Sequence, residues 1–71
     1  MPIVIDPNVA RGKPVIRGTR VPVATVLEQL EAGLPIDELV REFDITVQDV
    51  RDALAYAREL VTEAQVYHLP S

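Results

Sequence analysis

Four cationic side chains lie close together near the start of the chain, in the stretch "ARGKPVIRGTR". They are Arg11, Lys13, Arg17 and Arg20. An arginine binds a carboxylate or a phosphate through paired hydrogen bonds, whereas a lysine offers a compact point charge. The chemistry that this stretch predicts is therefore the binding of an anionic group, on a partner or on the protein itself.

The two later arginines flank a Gly-Thr pair. Gly18 permits a turn with positive φ, and the Thr19 hydroxyl can tie that turn by bonding a nearby main-chain group. We expect a stiff corner in which Arg20, beside the first helix, clamps an acidic side chain and Arg17 faces a partner. The candidate residues for binding a partner or a phosphate are Arg11, Lys13, Arg17, Thr19 and Arg20.

The charges of the chain are divided unevenly along its length. The net charge is -4, yet residues 1–25 carry four cations against one carboxylate, while residues 26–71 carry three arginines against ten carboxylates. A basic segment on an acidic body meets either an anionic partner or the chain's own acidic helices. The charge pattern by itself leaves both interpretations open.

Residues suited to catalysis are sparse. The chain has no cysteine, and its single serine, Ser71, and single histidine, His68, both fall in the last four positions. Nucleophilic catalysis needs a nucleophile beside a base, and a zinc site needs several ligands at regular spacing. Paired carboxylates such as Asp37 and Glu38 fit a helix cap or a solvated helix face. We therefore expect a protein that is not an enzyme and that uses no metal or cofactor.

The composition predicts a folded domain that needs help from a partner. Hydrophobic residues make up 48% of 71 residues, and a core in a chain of this size contributes only about 3 to 5 kcal/mol. No apolar run approaches about 18 residues, and no charged-then-apolar leader is present. We expect a cytoplasmic protein with a partner chain and no membrane contact.

The hydrophobic pattern divides the chain into an arm, a helical domain and a tail. Within residues 1–22, "PIVI" and "PVIR" are short β-branched segments around a turn-rich stretch, which predicts a two-stranded β arm. Residues 23–64 predict three helices: one from Val23 to Gly33, one from Pro35 to Phe43, and one from Val47 to Ala64. Thr46 and Asp49 form a variant of the capping box before the third helix. Residues 65–71 form a tail, and the whole chain makes one domain.

The third helix carries apolar residues at alternating spacings of three and four: Val47, Val50, Leu54, Ala57, Val61 and Ala64. Leu60 widens this stripe. We expect the first half of the stripe to be core and the second half to form a homodimer interface, because the two shorter helices cannot cover all of it. The predicted interface residues are Leu54, Ala57, Leu60 and Val61.

Three residues separate the second and third helices, which is the spacing of a helix-turn-helix. In that arrangement the early residues of the third helix can read DNA bases, and here the candidates are Gln48 and Arg51. Asp49 and Asp52 stand beside them and would repel phosphate. The spacing therefore suggests DNA binding, and the carboxylates weaken that interpretation.

The stretch "IDPNVARGKPVIRGTRVPVATVLEQLEAGLPIDELVREFDITVQDVRDALAYAREL", Ile5 to Leu60, closely resembles the bacterial and archaeal family catalogued as domain of unknown function 433. The resemblance rests on the early Asp-Pro, the Gly-Lys-Pro-x-Ile-x-Gly-Thr-Arg-x-Pro-Val core from Gly12 to Val23, Gly33, and the capped alanine-rich helix. The sequence differs where a Tyr-Pro pair often follows the second helix, here Phe43-Asp44, and at Ile45, where leucine is usual.

The resemblance implies a mainly α fold, a tri-helical, homeodomain-like helix-turn-helix bundle with an N-terminal two-stranded β arm. It also implies a VapB-like antitoxin of a type II toxin-antitoxin pair that neutralises a PIN-type ribonuclease toxin. Repression of its own operon by binding operator DNA would be a second role. The tail is either a frayed terminus or a segment that becomes ordered on the toxin. In the second case the docking candidates are Val66, Tyr67 and Leu69. The alternative is a homo-oligomeric protein-interaction module that touches no nucleic acid.

Overall fold

The computed structural model describes residues 1–64 of the chain. Two strands, β1 (Ile3–Val4) and β2 (Val15–Ile16), precede three helices, α1 (Val23–Glu31), α2 (Ile36–Phe43) and α3 (Val47–Ala64). A single 3-10 turn, Ala10–Gly12, lies between the strands. The predicted mainly helical fold with an N-terminal two-stranded sheet is confirmed, and the strands are shorter than the predicted segments.

The β arm is part of the core. The strands pair antiparallel, with Ile3 opposite Ile16 and Val4 opposite Val15. On its other edge β2 bridges from Val15 to Pro22, and the Val23 N–H donates to the Pro14 carbonyl over 2.9 Å. The arm is therefore fastened directly to the first residue of α1.

Short-range signals in the sequence set the helix ends. α1 begins after Pro22 and ends where Gly33 adopts φ 93°, a left-handed conformation that glycine tolerates without steric cost. α2 ends at Phe43, because the next residue, Asp44, is also left-handed with φ 54°. The Ile45 N–H donates to the Val40 carbonyl over 3.1 Å. The chain thus reverses within three residues and enters α3.

The predicted capping box forms at the start of α3. The Asp49 N–H donates to the Thr46 hydroxyl oxygen over 3.0 Å, and the Thr46 N–H donates to the Asp49 carboxylate over 2.9 Å. Two main-chain donors that the helix leaves without an internal acceptor are thereby satisfied.

We expect Thr46→Ala to lower the free energy of unfolding by about 1 kcal/mol, because it removes the hydroxyl that accepts the Asp49 N–H. Thr62→Ala is the matched control, because Thr62 is an exposed residue near the other end of the same helix, away from the capping box. Urea denaturation followed by circular dichroism measures both. Equal stability of the two variants would show that the cap contributes nothing.

Nine apolar side chains are buried within residues 1–64, and they come from both strands, all three helices and the segment before α3. They are Ile3, Val15, Ile16, Val23, Val26, Leu39, Ile45, Val50 and Ala53. α3 packs against α1, α2 and both strands. The arm and the helices therefore form one core.

The orientation of α3 corrects one prediction. Val50 is buried as expected, but Val47 and Leu54 are 48% and 43% exposed, and the fully buried neighbour is Ala53. The predicted burial is therefore confirmed at Val50 and wrong at Val47, whereas Leu54, a predicted interface residue, is exposed. Because alanine is small, it lets a helix backbone approach its neighbours closely, and this rotates the buried face of α3 toward Ala53.

Candidate partner-binding surfaces

The Gly-Thr corner forms a hydrogen-bonded turn. The Thr19 N–H donates to the Ile16 carbonyl over 3.0 Å, and Gly18 has φ 77°, which is typical of the third position of a type II turn. The Thr19 hydroxyl donates to the same Ile16 carbonyl over 2.8 Å and accepts from the Val21 N–H over 3.0 Å. Thr19 therefore stabilises the corner from within, in the way the sequence predicted.

Arg17 and Arg20 are both exposed at this corner. Within residues 1–64, neither guanidinium group donates a hydrogen bond. Arg20 borders an open depression of about 590 Å³ whose lining comprises Val9, Gly18, Thr19, Arg20, Val21, Phe43 and Asp44. Asp44 is the carboxylate in that lining. It is the candidate for the acidic side chain that Arg20 would clamp, and the clamp stays a prediction.

The turn that carries Arg11 is strained. Ala10 and Arg11 have φ 50° and 59°, and Gly12 follows with φ 80°. A left-handed conformation costs roughly 1 to 2 kcal/mol for a residue with a side chain. Arg11 and Lys13 are both exposed, so the strained turn presents two cations at the surface. Neither alanine nor arginine signals a left-handed turn, and the sequence could not predict it.

We expect Arg11→Gly to raise the free energy of unfolding by about 0.5 to 1 kcal/mol, because glycine adopts this conformation without steric cost. Arg11→Lys is the control, because it keeps a charged side chain in the same conformation and should leave stability almost unchanged. Thermal melts of both variants measure the effect. Destabilisation by glycine would mean that the arginine side chain makes stabilising contacts that outweigh the strain.

The start of α3 brings the DNA-reading candidates beside carboxylates. The side-chain amide of Gln48 donates to the Asp52 carboxylate over 3.0 Å, and Asp49 serves as the helix cap. Arg51 is exposed. Gln48 can read a base only after its hydrogen bond to Asp52 is broken. The carboxylates in this region also repel phosphate.

An apolar groove lies between α1 and the second half of α3. We call it the α1–α3 groove; it encloses about 260 Å³ and is lined by Lys13, Pro14, Val23, Ala24, Leu27, Tyr56, Ala57 and Leu60. Leu60 remains 50% exposed at this groove. Ala57 and Leu60, two of the four predicted dimer residues, belong to this surface.

The other two predicted dimer residues lie on a different face of α3. Successive residues of an α-helix turn by about 100°, so five residues at spacings of four and three share one face of about 80°. We call this face the α3 row: Val47, Arg51, Leu54, Arg58 and Val61, all exposed. The interface role of Leu54 and Val61 stays a prediction. Arg58 was not among the predicted residues, because its role depends on which side of α3 faces the core.

Other site predictions concern residues outside the described part of the chain. Val66, Tyr67 and Leu69, the toxin-docking candidates, lie beyond residue 64, as do His68 and Ser71. Among residues 1–64, no group of three or more histidine, cysteine, aspartate or glutamate side chains is placed to hold a metal ion. None of the helices in that same range is both long enough and apolar enough to cross a membrane.

The family model described as "Protein of unknown function (DUF433)" matches residues 3–57. This range includes the β arm, the Gly-Thr corner, α1, α2 and most of α3. A crystal structure of a DUF433 member protein from Anabaena variabilis ATCC 29413 is 33% identical with a TM-score of 0.78, and the match covers 87% of this chain and 62% of that one.

Two comparisons lead to Mycobacterium tuberculosis. The protein named "Putative antitoxin VapB45", from strain ATCC 25618 / H37Rv, is 38% identical over 52 residues, which are 73% of this chain and 22% of the relative. The crystal structure of Rv2018 is also 38% identical, with a TM-score of 0.68, over 73% of this chain and 24% of that chain. The present chain thus spans about a quarter or less of these two relatives.

Proposed function

Because the chain belongs to the DUF433 family, we propose that it is the antitoxin of a type II toxin-antitoxin pair and neutralises a PIN-type ribonuclease toxin. The observation that carries the proposal is the 38% identity to the Mycobacterium tuberculosis protein named as an antitoxin, over 73% of this chain. The α1–α3 groove and the α3 row add support, because adjoining apolar surface on a small domain is typical of a protein that binds protein partners.

We further propose that the chain forms a homodimer through the α1–α3 groove. A two-fold dimer uses the same patch on both copies, and this patch combines a groove of about 260 Å³ with a half-exposed Leu60 in its lining. Each copy can therefore insert its Leu60 into the groove of the other. The extra buried apolar area would supplement a small core.

Two further contacts complete the proposal. The toxin docks on the tail residues Val66, Tyr67 and Leu69, so deleting residues 66–71 should weaken neutralisation and leave the fold intact. Operator DNA contacts the exposed cations Arg11, Lys13 and Arg17, which a dimer presents twice. Arg17→Ala should then lower affinity for all DNA sequences alike and flatten the salt dependence, whereas Gln48→Ala should relax base preference.

The test is co-expression of the chain with the small nuclease encoded beside it. Affinity capture of the chain should retain the nuclease, and the chain should abolish cleavage of single-stranded RNA by the purified nuclease. Fluorescence anisotropy with the upstream DNA, measured with and without the nuclease, tests the second role. If affinity capture of the chain does not retain the nuclease, and the chain does not diminish RNA cleavage, the antitoxin proposal is refuted.

One observation favours a second candidate function, a protein-interaction module without nucleic-acid binding. The hydrogen bond from Gln48 to Asp52 and the cap formed by Asp49 occupy the end of α3 that would enter the major groove. On this alternative the same dimer forms and the exposed cations contact protein carboxylates. Absence of DNA binding in both anisotropy conditions, with partner capture retained, would select it.

A further inference from the structure

The α3 row combines apolar side chains with two guanidinium groups on an otherwise acidic body. Val47, Leu54 and Val61 recur every seven residues and are 48%, 43% and 68% exposed. Arg51 and Arg58 recur at the same interval along one flank of them. Residues 26–71 contain three arginines against ten carboxylates, so this row holds two of the three cations of the helical body.

A second copy of the chain does not complement this row. When two identical helices pack antiparallel, each flank of one meets the same flank of the other. Arg51 and Arg58 would then face the Arg58 and Arg51 side chains of the other copy, and like charges at such positions destabilise an interface. A parallel pair would bring the arginines of one copy beside the opposite flank of the row on the other copy, Leu54 and Val61, which offer no carboxylate.

Nucleic acid fits the row less well than protein does. Phosphate contacts require only the cations, and the three apolar side chains between them would gain nothing from a sugar-phosphate backbone. The carboxylates of Asp49, Asp52 and Glu59 also lie on α3 and lower the affinity of this helix for phosphate. An apolar helix that carries its own carboxylates would satisfy both kinds of side chain.

We propose that the α3 row binds an amphipathic helix whose apolar stripe is flanked by carboxylates spaced about seven residues apart. The proposal rests on the antitoxin function in one respect, which is that this helix belongs to the toxin. The row is about 21 Å long, so the bound helix has at least four turns. Leu54 packs at the centre of the contact, and Arg51 and Arg58 select the charge of the partner.

The chemistry of the row is tested with two synthetic helical peptides of about 20 residues, which share one leucine stripe and carry glutamate or lysine along its flank. Fluorescence anisotropy with the full chain should show the glutamate peptide binding about tenfold more tightly than the lysine peptide. The double variant Arg51→Glu, Arg58→Glu should reverse the preference. Arg41→Glu, at an exposed arginine of α2 outside the row, should leave it unchanged.

Equal binding of the two peptides, absence of binding by either, or a preference that survives the double variant would overturn the proposal. Circular dichroism checks that the double variant is folded. Leu54→Ser, at the centre of the row, should weaken the binding of both peptides equally and provides an independent check. Loss of duplex DNA binding in the double variant, without any change in peptide binding, would assign the row to nucleic acid and also overturn the proposal.

Capture of the co-expressed nuclease separates this proposal from the antitoxin function. Loss of capture by the double variant, with capture by wild type and by Arg41→Glu, is the expected result. Undiminished capture by the double variant would overturn the assignment of the row to the toxin and leave the antitoxin function standing. If wild type captures no nuclease but still selects the glutamate peptide, the antitoxin function fails and the charge selection of the row stands.

Discussion

Leu39→Ala is expected to remove most of the free energy of unfolding of the chain. Leu39 is fully buried in α2 and belongs to the cluster formed with Ile16, Val26 and Val50. Truncation of such a leucine costs about 2 to 5 kcal/mol, because it removes apolar contacts and leaves a cavity. A domain of this size has only about 3 to 5 kcal/mol to lose.

Far-ultraviolet circular dichroism and urea denaturation measure this effect. Leu54→Ala is the matched control, because it makes the same chemical change on α3 at a side chain that is 43% exposed; it should cost less than about 1 kcal/mol. A native helical signal in Leu39→Ala, with a cooperative transition near that of wild type, would contradict the burial of α2 described above.

Leu60→Asp is expected to convert the homodimer into a folded monomer. The substitution puts a carboxylate into the α1–α3 groove, whose lining is mostly apolar with Lys13 as its one cation. Burying this charge in the proposed dimer costs more desolvation energy than an exposed lysine returns. Such a charge should raise the dissociation constant at least about 100-fold. Because Leu60 is half exposed in the single chain, the fold itself should remain intact.

Light scattering coupled to gel filtration gives the mass of each variant over a range of concentrations. Val61→Asp is the control, since Val61 is the next residue along the chain but lies on the α3 row, and this variant should remain a dimer. A monomeric wild type, or a dimer that persists in Leu60→Asp, would contradict dimerisation through the groove. A dimer lost in both variants would instead indicate an interface that spans both faces of α3.

The sequence predicted the helices well because their ends depend on local chemistry. Pro22, Gly33 and the Thr46-Asp49 pair act on the few residues around them, so their effects can be read without knowing the fold. The orientation of α3 depends on tertiary packing instead. The stripe of large apolar residues predicted burial at Val47, whereas the close approach permitted by Ala53 decided which face turns inward.

The same distinction explains what could be predicted of the candidate surfaces. The turn at Gly18 and Thr19 is local, and its hydrogen bonds were foreseen. The helical period alone puts Arg58 beside Leu54 and Val61, but only the observed rotation of α3 shows that this face of the helix is exposed. The left-handed Arg11 was equally hidden, since its conformation follows from the path between two paired strands and not from its side chain.

The attachment of the β arm to α1 has a consequence for how the chain opens. The Val23 N–H, at the start of α1, donates to the Pro14 carbonyl of the arm, and next to it the Ile16 N–H donates to the Val21 carbonyl. These amides can exchange with solvent only when the arm detaches, and detachment also exposes Ile3, Val15 and Ile16. Their exchange should therefore report global unfolding. It follows that a protease should find no early cleavage site at residues 22–23, although the sequence changes there from extended to helical.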